Sequence, residues 1–252
     1  MILDMFSLKG KVAVVTGART GLGQGMAVGL AEAGADMVIV NHSPMPDTEK
    51  MIKELGRKCM PIEAELSDIS VIPDIIEKTL KEFGRIDILV NNAGIIRRAP
   101  SLEFSEKDWD DVIDLNLKSV FFLSQAAAKA MMKQGGGKII NIASMLSFQG
   151  GILVPSYAAS KGGVASLTKT LANEWAKYNI NVNAIAPGYM ETNNTEPIRK
   201  NEERYKSISE RIPAGRWGLP EDLKGAVVFL ASKASDYVTG HILCVDGGWM
   251  AR

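Results

Sequence analysis

The sequence predicts an α/β fold, in which a doubly wound, parallel sheet of seven strands carries helices on both faces. Short apolar runs alternate with longer stretches of helical spacing along the 252 residues, and this alternation is typical of parallel strands joined by crossover helices. Runs such as Ile86–Val90 are apolar almost throughout, as expected for strands that are covered on both faces. Hydrophobic residues make up 46% of the chain and charged residues 23%, which is sufficient for a large core.

Each strand is predicted from an apolar run with polar or glycine residues at its ends. The first run, Val12–Val15, follows Lys11 and precedes Thr16 and Gly17. The other six predicted strands are Asp36–Val40, Lys58–Ile62, Ile86–Val90, Lys138–Ile142, Ile180–Ile185 and Ile242–Val245.

Stretches of helical spacing separate these strands. Helices are predicted over Met26–Ala33, Asp47–Leu55, Ser70–Phe83, Lys107–Lys133, Ser156–Lys177 and Pro220–Ser232. The long stretch from Pro187 to about Arg216 is predicted to be irregular, with helix-like pieces, and we expect it to act as a substrate loop. Because no internal repeat or linker divides the chain, residues 1–252 are expected to form one domain.

Charge and composition exclude several classes of partner. Lys+Arg and Asp+Glu both number 29, so no overall field attracts nucleic acid or an anionic membrane, and a small molecule is the expected partner. With two cysteines far apart, Cys59 and Cys244, and two histidines, we expect neither a disulfide framework nor a metal site. Met1–Lys11 lacks a long apolar core, and no later run is long enough to span a bilayer. We therefore expect a cytoplasmic protein.

A glycine-rich turn lies between the first strand and the first helix. Glycines here allow a tight turn and let the backbone approach a pyrophosphate at the helix N-terminus. Such a turn also serves in other proteins merely to connect two elements, but its position between a strand and a helix favours nucleotide binding. The residues expected to contact the nucleotide are Gly17, Arg19, Thr20, Gly21, Leu22 and Gly23.

Three residues separate the first two glycines, and this spacing resembles the glycine turn of the short-chain dehydrogenase/reductase family. Further motifs of that family match in sequence order: Asn91-Asn92-Ala93-Gly94 after the fourth strand, the tetrad Asn116, Ser144, Tyr157 and Lys161, and Pro187-Gly188 with Thr192. The resemblance implies a Rossmann-like dinucleotide-binding catalytic domain, a nicotinamide coenzyme and, commonly, a homotetramer.

Tyr157 and Lys161 are four residues apart on a predicted helix and therefore share a face. A cation beside a phenol favours the phenolate, so we expect the pKa of Tyr157 to lie below its usual value of about 10. On spacing alone the two residues would be a surface pair. The resemblance implies that Tyr157 transfers the proton, Ser144 holds the reacting oxygen, and Lys161 also binds the nicotinamide ribose. It further implies that Asn116 holds a water that relays protons.

The sequence leaves the choice of coenzyme open. Where the family usually has an acidic residue that binds the adenosine ribose of NAD, this chain has Asn41. Arg19 would suit the phosphate of NADP, although it is equally consistent with a solvated side chain. Glu65-Leu66 replaces the usual aspartate and apolar residue at the adenine. The resemblance favours NAD, with NADP as the alternative, and adds Asn92, Ala93 and Gly94 to the expected contacts.

Several residues are candidates for binding the substrate. Arg97 and Arg98 follow the asparagine motif, and a guanidinium there would bind a carboxylate, although two solvated arginines explain the sequence equally well. Further candidates, each of which also suits a packing or solvated role, are Ser144, Met145, Ser147, Gln149, Tyr157, Tyr189 and Trp217.

Wider segments resemble the branch of the family that acts on sugar acids, including those of pectin breakdown; examples are Ala143–Gly151 and Ile212–Gly218. The expected substrate is a deoxy-keto-gluconate. The alternatives are a dehydrogenase for gluconate, a 3-oxoacyl reductase with the same tetrad, and a nicotinamide-sensing regulator without catalysis. A regulator would be expected to have a damaged tetrad.

Overall fold

The computed structural model describes residues 1–252 and contains one parallel sheet of seven strands. The strands are β1 (Val12–Thr16), β2 (Asp36–Asn41), β3 (Cys59–Glu63), β4 (Ile88–Asn91), β5 (Gly137–Ile142), β6 (Ile180–Pro187) and β7 (Ile242–Val245). Their order across the sheet is β3-β2-β1-β4-β5-β6-β7, and every pairing is parallel. The predicted fold class is confirmed.

Nine α-helices connect or flank the strands: α1 (Gly21–Glu32), α2 (Pro46–Glu54), α3 (Ile72–Phe83), α4 (Glu106–Ile113), α5 (Ser119–Lys133), α6 (Pro155–Trp175), α7 (Glu196–Arg199), α8 (Glu202–Arg211) and α9 (Lys224–Ala231). One core cluster joins the sheet to α1, α2 and α9, and a second joins it to α3, α5 and α6. No helix combines the length and the apolar composition that crossing a membrane requires.

Alternation along the strands explains why both faces are covered. In β1, Ala13 and Val15 belong to the first cluster, whereas Val12 and Val14 belong to the second. All five residues of β1 are buried, which accounts for its uninterrupted apolar pattern. The strand order reverses between β1 and β4, so the carboxyl ends of these two strands flank a crevice.

The structure corrects three predicted helices. The first begins at Gly21 rather than Met26, because the glycine turn continues directly into the helix. The helix predicted over Lys107–Lys133 is interrupted by a π-helical turn at Asp114–Lys118, between α4 and α5. The last begins with a 3-10 turn at Pro220–Leu223 before α9.

The stretch from Pro187 to about Arg216, predicted to be irregular with helix-like pieces, contains two helices, α7 and α8, with irregular segments before and after them. The side chain of Asn201 accepts a hydrogen bond from the Arg204 amide at 2.9 Å and caps the start of α8. Ile208 on α8 and Ile212 after it pack against Trp217. The segment is therefore a helical cover on an apolar base.

Polar side chains lie inside the core next to the crevice. Asn91 and Asn141 are register partners on β4 and β5, and the Asn91 amide donates to the Asn141 oxygen at 2.9 Å. Asn91 also donates to Ser124 on α5 at 2.9 Å, and Asn141 donates to Thr168 on α6 at 3.0 Å. All four side chains are buried. The network ties two central strands to the two helices that cover them.

We expect Asn141→Ala to lower the free energy of unfolding by about 2–4 kcal/mol, because it removes one hydrogen-bond partner from each of the buried side chains of Asn91 and Thr168 and leaves space in the core. The control is Asn201→Ala, which removes an exposed amide and should cost about 1 kcal/mol as a lost helix cap. Urea unfolding followed by circular dichroism measures both. Equal losses in the two variants would contradict a special role for the buried network.

Candidate active site

A cleft of about 370 Å³ opens at the carboxyl ends of the strands. It brings together most of the residues predicted to bind the coenzyme, namely Gly17, Arg19, Thr20, Gly21, Leu22, Gly23, Asn41, Glu65, Leu66, Asn92, Ala93, Gly94, Tyr157, Lys161 and Thr192. Sequence reasoning did not assign six further lining residues: His42, Ala64, Leu115, Ile142, Asn193 and Asn194. Pro187 and Gly188 do not line the cleft; they lie at the end of β6, where the Gly188 amide donates to the Val245 carbonyl at 3.0 Å.

The glycine turn forms one wall of the cleft and requires two of its glycines. Gly17 has a φ of +65°, and a Cβ there would lie 2.8 Å from the Asn92 amide nitrogen. A Cβ at Gly23 would collide with the Gly17 carbonyl. The Thr20 side chain does not cap α1, so the first amides of the helix have no intrahelical or side-chain acceptor. These amides, aligned with the positive end of the helix dipole, fit a pyrophosphate.

The asparagine motif holds the glycine turn in place. The Thr16 hydroxyl accepts hydrogen bonds from the Asn92 and Ala93 amides, both at 3.0 Å. The Asn92 side chain donates to the carbonyls of Thr16 at 2.9 Å and Gly17 at 3.1 Å. The end of β1 and the loop after β4 are therefore fixed to each other, and the width of the crevice between them is set by these bonds.

The end of β2 is polar but carries no carboxylate. The Asn41 amide donates to the Ser43 hydroxyl at 2.8 Å, and the Arg19 guanidinium donates to the same hydroxyl at 3.1 Å. His42 lines the cleft beside them. The Glu65 carboxylate accepts hydrogen bonds from the amide and the hydroxyl of Ser67, at 3.1 and 3.0 Å. The cleft thus offers a cation and neutral donors where an adenosine ribose would lie, and this set suits either a hydroxyl or a phosphate.

Helix α6 positions Tyr157 and Lys161 on the opposite wall. Lys161 is buried, with its ammonium 5.6 Å from the centre of the Tyr157 ring, and it donates to the Ile142 carbonyl at 2.5 Å. Ser144 follows β5, and its hydroxyl accepts from the Leu146 amide at 3.1 Å. Because that bond uses an acceptor position of the hydroxyl, the Ser144 proton is available as a donor towards Tyr157 or a bound substrate.

Asn116 lies in the π-helical turn between α4 and α5 and is fully buried. Its side chain forms a reciprocal pair with the backbone of Ile95: the amide donates to the Ile95 carbonyl and the oxygen accepts from the Ile95 amide, both at 2.9 Å. It also donates to Ser160 at 3.3 Å, and Ser160 in turn donates to the Tyr157 carbonyl at 2.8 Å. Asn116 therefore fixes the loop after Gly94, and its side chain is committed to that loop.

The residues predicted to bind substrate divide into two groups. Met145 and Trp217 are buried in an apolar cluster with Trp249, and the Tyr189 ring packs 5.2 Å from that of Trp217 and 4.8 Å from that of Trp249. These residues form the base under α8. Gln149 is partly exposed on the loop after Ser144.

The two arginines differ in their surroundings. Arg97 pairs with two carboxylates on α4, with nitrogen–oxygen distances of 3.4 Å to Asp108 and 3.2 Å to Asp111. Arg98 is exposed, donates to the Asn194 carbonyl at 3.2 Å, and its charge acts on Tyr157. Of the two, Arg98 is the cation at the mouth of the cleft, whereas Arg97 is engaged on α4.

Known proteins align with this chain over nearly its whole length. A family model described as enoyl-(acyl carrier protein) reductase matches residues 17–250. The chain is 65% identical to the 2-dehydro-3-deoxy-D-gluconate 5-dehydrogenase of Escherichia coli (strain K12), with 100% of both chains covered. It is 56% identical to the enzyme of the same name from Bacillus subtilis (strain 168), over 99% of this chain and 98% of that one. The chain belongs to the short-chain dehydrogenase/reductase family.

A solved structure of this family extends the likeness to three dimensions. The gluconate 5-dehydrogenase of Burkholderia cenocepacia J2315, solved in complex with NADP and tartrate, matches with a TM-score of 0.96 and 40% identity over the whole of both chains. As a member of the short-chain dehydrogenase/reductase family, the protein is an oxidoreductase acting on a CH–OH group.

Burial controls the ionisation of the tyrosine and lysine of this short-chain dehydrogenase/reductase. It raises the pKa of Tyr157 above 10, although the hydrogen bond with Ser144 and the positive charge of Arg98 act in the opposite direction. Burial also lowers the pKa of Lys161 to about 8. The prediction that Lys161 brings the pKa of Tyr157 below its usual value is therefore wrong for the protein alone, where the ammonium is bonded to the Ile142 carbonyl.

The lowered pKa of Lys161 predicts a pH-dependent stability. The pKa of Lys161 is about 8 in the folded protein, against an ordinary value of 10.5. Between these two pH values the unfolded chain binds more protons than the folded protein, so the free energy of unfolding increases as the pH rises through this range. Lys161→Met removes a buried charge that costs about 3 kcal/mol at neutral pH. We expect the stability of the variant relative to wild type to decrease between pH 7 and about pH 9.5.

Urea unfolding at these two pH values measures the difference. Lys169→Met, an exposed position on the same helix, is the control for loss of a lysine side chain. A relative stability of Lys161→Met that is the same at both pH values would show that Lys161 is not desolvated.

Proposed function

We propose that the protein interconverts a hydroxyl and a keto group on a deoxy-keto-gluconate, as a 2-dehydro-3-deoxy-D-gluconate 5-dehydrogenase. The observation that carries this proposal is the 65% identity over full length to the enzyme of that name in Escherichia coli. All four tetrad residues are present, and Tyr157 and Lys161 line the cleft, which supports catalysis and argues against a nicotinamide-sensing regulator. The resemblance to the sugar-acid branch supports a role in the breakdown of pectin-derived sugar acids.

The residues of this chain supply binding, orientation and proton transfer. When bound, a nicotinamide coenzyme exchanges a hydride with the reacting carbon of the substrate. Tyr157 takes the hydroxyl proton in oxidation and returns it to the carbonyl oxygen in reduction. Ser144 holds that oxygen by donating its hydroxyl proton, since the bond from the Leu146 amide uses only one acceptor position of the hydroxyl. By the family resemblance, Lys161 binds the nicotinamide ribose; its ammonium lies beside the Tyr157 ring and is bonded to the Ile142 carbonyl.

Coenzyme choice depends on the end of β2 and on Arg19. The absence of a carboxylate at Asn41 and the cation at Arg19 are compatible with the 2′-phosphate of NADP. NADP is the coenzyme in the Burkholderia cenocepacia structure. The resemblance to the sugar-acid branch favours NAD. We propose NAD as the coenzyme with NADP as the alternative, bound along the cleft from the α1 N-terminus to Lys161.

A gluconate 5-dehydrogenase is the second candidate function. The observation in its favour is the TM-score of 0.96 to the Burkholderia cenocepacia enzyme of that name. The lower identity, 40% against 65%, places it behind the deoxy-keto-gluconate reaction. The tetrad is common to both, so the pocket outside it decides between them.

We also propose that the protein works in the cytoplasm as a homotetramer. The family resemblance supports both statements. Large apolar side chains are exposed on two helices, with Trp109 on α4 at 41% and Met132 on α5 at 43%, and such positions suit contacts between copies.

The test of the proposed function is absorbance at the reduced-nicotinamide band, with NAD or NADP and a panel of 2-dehydro-3-deoxygluconate, 2-deoxygluconate, gluconate and a simple secondary alcohol. We expect turnover of the first two substrates. Tyr157→Phe should lower kcat by about 100- to 10,000-fold, because it removes the proton carrier and keeps the ring. Coenzyme affinity, measured by fluorescence, should stay within about twofold. Turnover of gluconate alone would favour the second candidate, and an active Tyr157→Phe would overturn the mechanism.

A carboxylate on the substrate predicts a specific role for Arg98. Arg98→Ala should raise KM for the sugar acid about tenfold, because it removes a charge-assisted contact. Arg97→Ala is the matched control, since that guanidinium is paired on α4. Steady-state kinetics on both variants measure the difference. The same KM in wild type and Arg98→Ala would mean that Arg98 is merely solvated.

A further inference from the structure

Ser147 connects two members of the catalytic tetrad. Its hydroxyl accepts a hydrogen bond from the Ser144 amide at 3.3 Å and donates one to the Lys161 carbonyl at 2.7 Å. Ser144 lies on the segment after β5, whereas Lys161 lies on α6, so the hydroxyl joins two separate elements. Because its proton is committed to the Lys161 carbonyl, Ser147 can make the predicted hydrogen bond to a sugar hydroxyl only as an acceptor.

A short turn ties Ser147 to Ser144, because the Ser147 amide also donates to the Ser144 carbonyl at 2.9 Å. Met145–Ser147 forms a single 3-10 turn, with Ser144 at its N-cap. The Ser144 hydroxyl accepts from the Leu146 amide at 3.1 Å, while the Ser147 hydroxyl accepts from the Ser144 amide. Both the backbone and the hydroxyl of Ser144 are thereby oriented by one short turn.

The bond to Lys161 gives this turn its position relative to α6. Ser147 is partly buried against the helix, and the Lys161 carbonyl that accepts its proton belongs to the residue whose ammonium lies 5.6 Å from the Tyr157 ring centre. A shift of the turn would move the Ser144 hydroxyl relative to Tyr157, and geometric errors of about 1 Å in an active site cost about 100-fold in rate.

We propose that Ser147 is a positioning residue, which sets the distance between the catalytic serine on the segment after β5 and the catalytic tyrosine and lysine on α6. This inference rests on the proposed function for its substrate, but the geometry it concerns belongs to the chain alone.

The test compares Ser147→Ala with Ser147→Thr, which retains the hydroxyl. We expect Ser147→Ala to lower kcat by about 10- to 100-fold with KM for the coenzyme within about twofold, and Ser147→Thr to recover most of the loss. Thr170→Ala is the control, because Thr170 donates to the Ser166 carbonyl at 3.3 Å on the exposed side of α6. A Ser147→Ala variant with wild-type kcat, or one that loses only thermal stability, would overturn the proposal.

A second readout does not require the substrate. Two groups lower the pKa of Tyr157 against the effect of burial, namely the Ser144 hydroxyl and Arg98 from the loop after β4. The Lys161 ammonium lies 5.6 Å from the ring centre and is bonded to the Ile142 carbonyl. Displacement of Ser144 would remove its effect, so the tyrosinate absorbance of Tyr157 should appear at higher pH in Ser147→Ala than in wild type. Spectra of the matching Tyr157→Phe variants are subtracted to isolate this signal.

The two readouts separate the two proposals. A wild type that turns over no sugar acid contradicts the proposed function, and the tyrosinate titration then decides the role of Ser147 by itself. Titration of Tyr157 at the same pH in wild type and Ser147→Ala would overturn that role.

Discussion

The hydrogen bond between Asn91 on β4 and Asn141 on β5 is the contact on which the arrangement of the site depends. It lies inside the core, next to the point where the strand order reverses, and it extends through Ser124 to α5 and through Thr168 to α6, the helix that carries Tyr157 and Lys161. Asn92, the residue after β4, braces the glycine turn. Beyond β5 the chain reaches Ser144. The positions of both sides of the cleft therefore depend on the buried pair Asn91 and Asn141.

Electrostatics at the cleft reflects this rigid frame. The buried ammonium of Lys161 and the partly buried phenol of Tyr157 lie close together. Burial lowers the pKa of Lys161 and raises that of Tyr157, so it favours the neutral form of each group. The charge of Lys161 is directed to a main-chain carbonyl, so the influence of this residue on Tyr157 is set by where the backbone of β5 ends. Burial is thus the main influence on the ionisation of both groups.

Much of the fold and of the site followed from the sequence. The apolar runs predicted all seven strands, because buried parallel strands have a strong and local signal, and the motifs predicted the residues that meet at the cleft. His42 was missed because a histidine after a strand has no distinctive pattern. The pairing of Arg97 with α4 was not predictable, since it depends on where α4 lies in space. The raised pKa of Tyr157 depends on burial, which spacing on a helix does not report.

The π-helical turn at Asp114–Lys118 has an evolutionary consequence. Such a turn contains one residue more than an α-helical turn, so it offsets α4 and α5 by about 100° about the common axis. A chain without the extra residue would keep either Asn116 bonded to the Ile95 backbone or Leu123 in the core, but not both. Deletion of a single codon in this turn would therefore break one of these two contacts in one step. Most point substitutions there would leave the relative rotation of α4 and α5 unchanged.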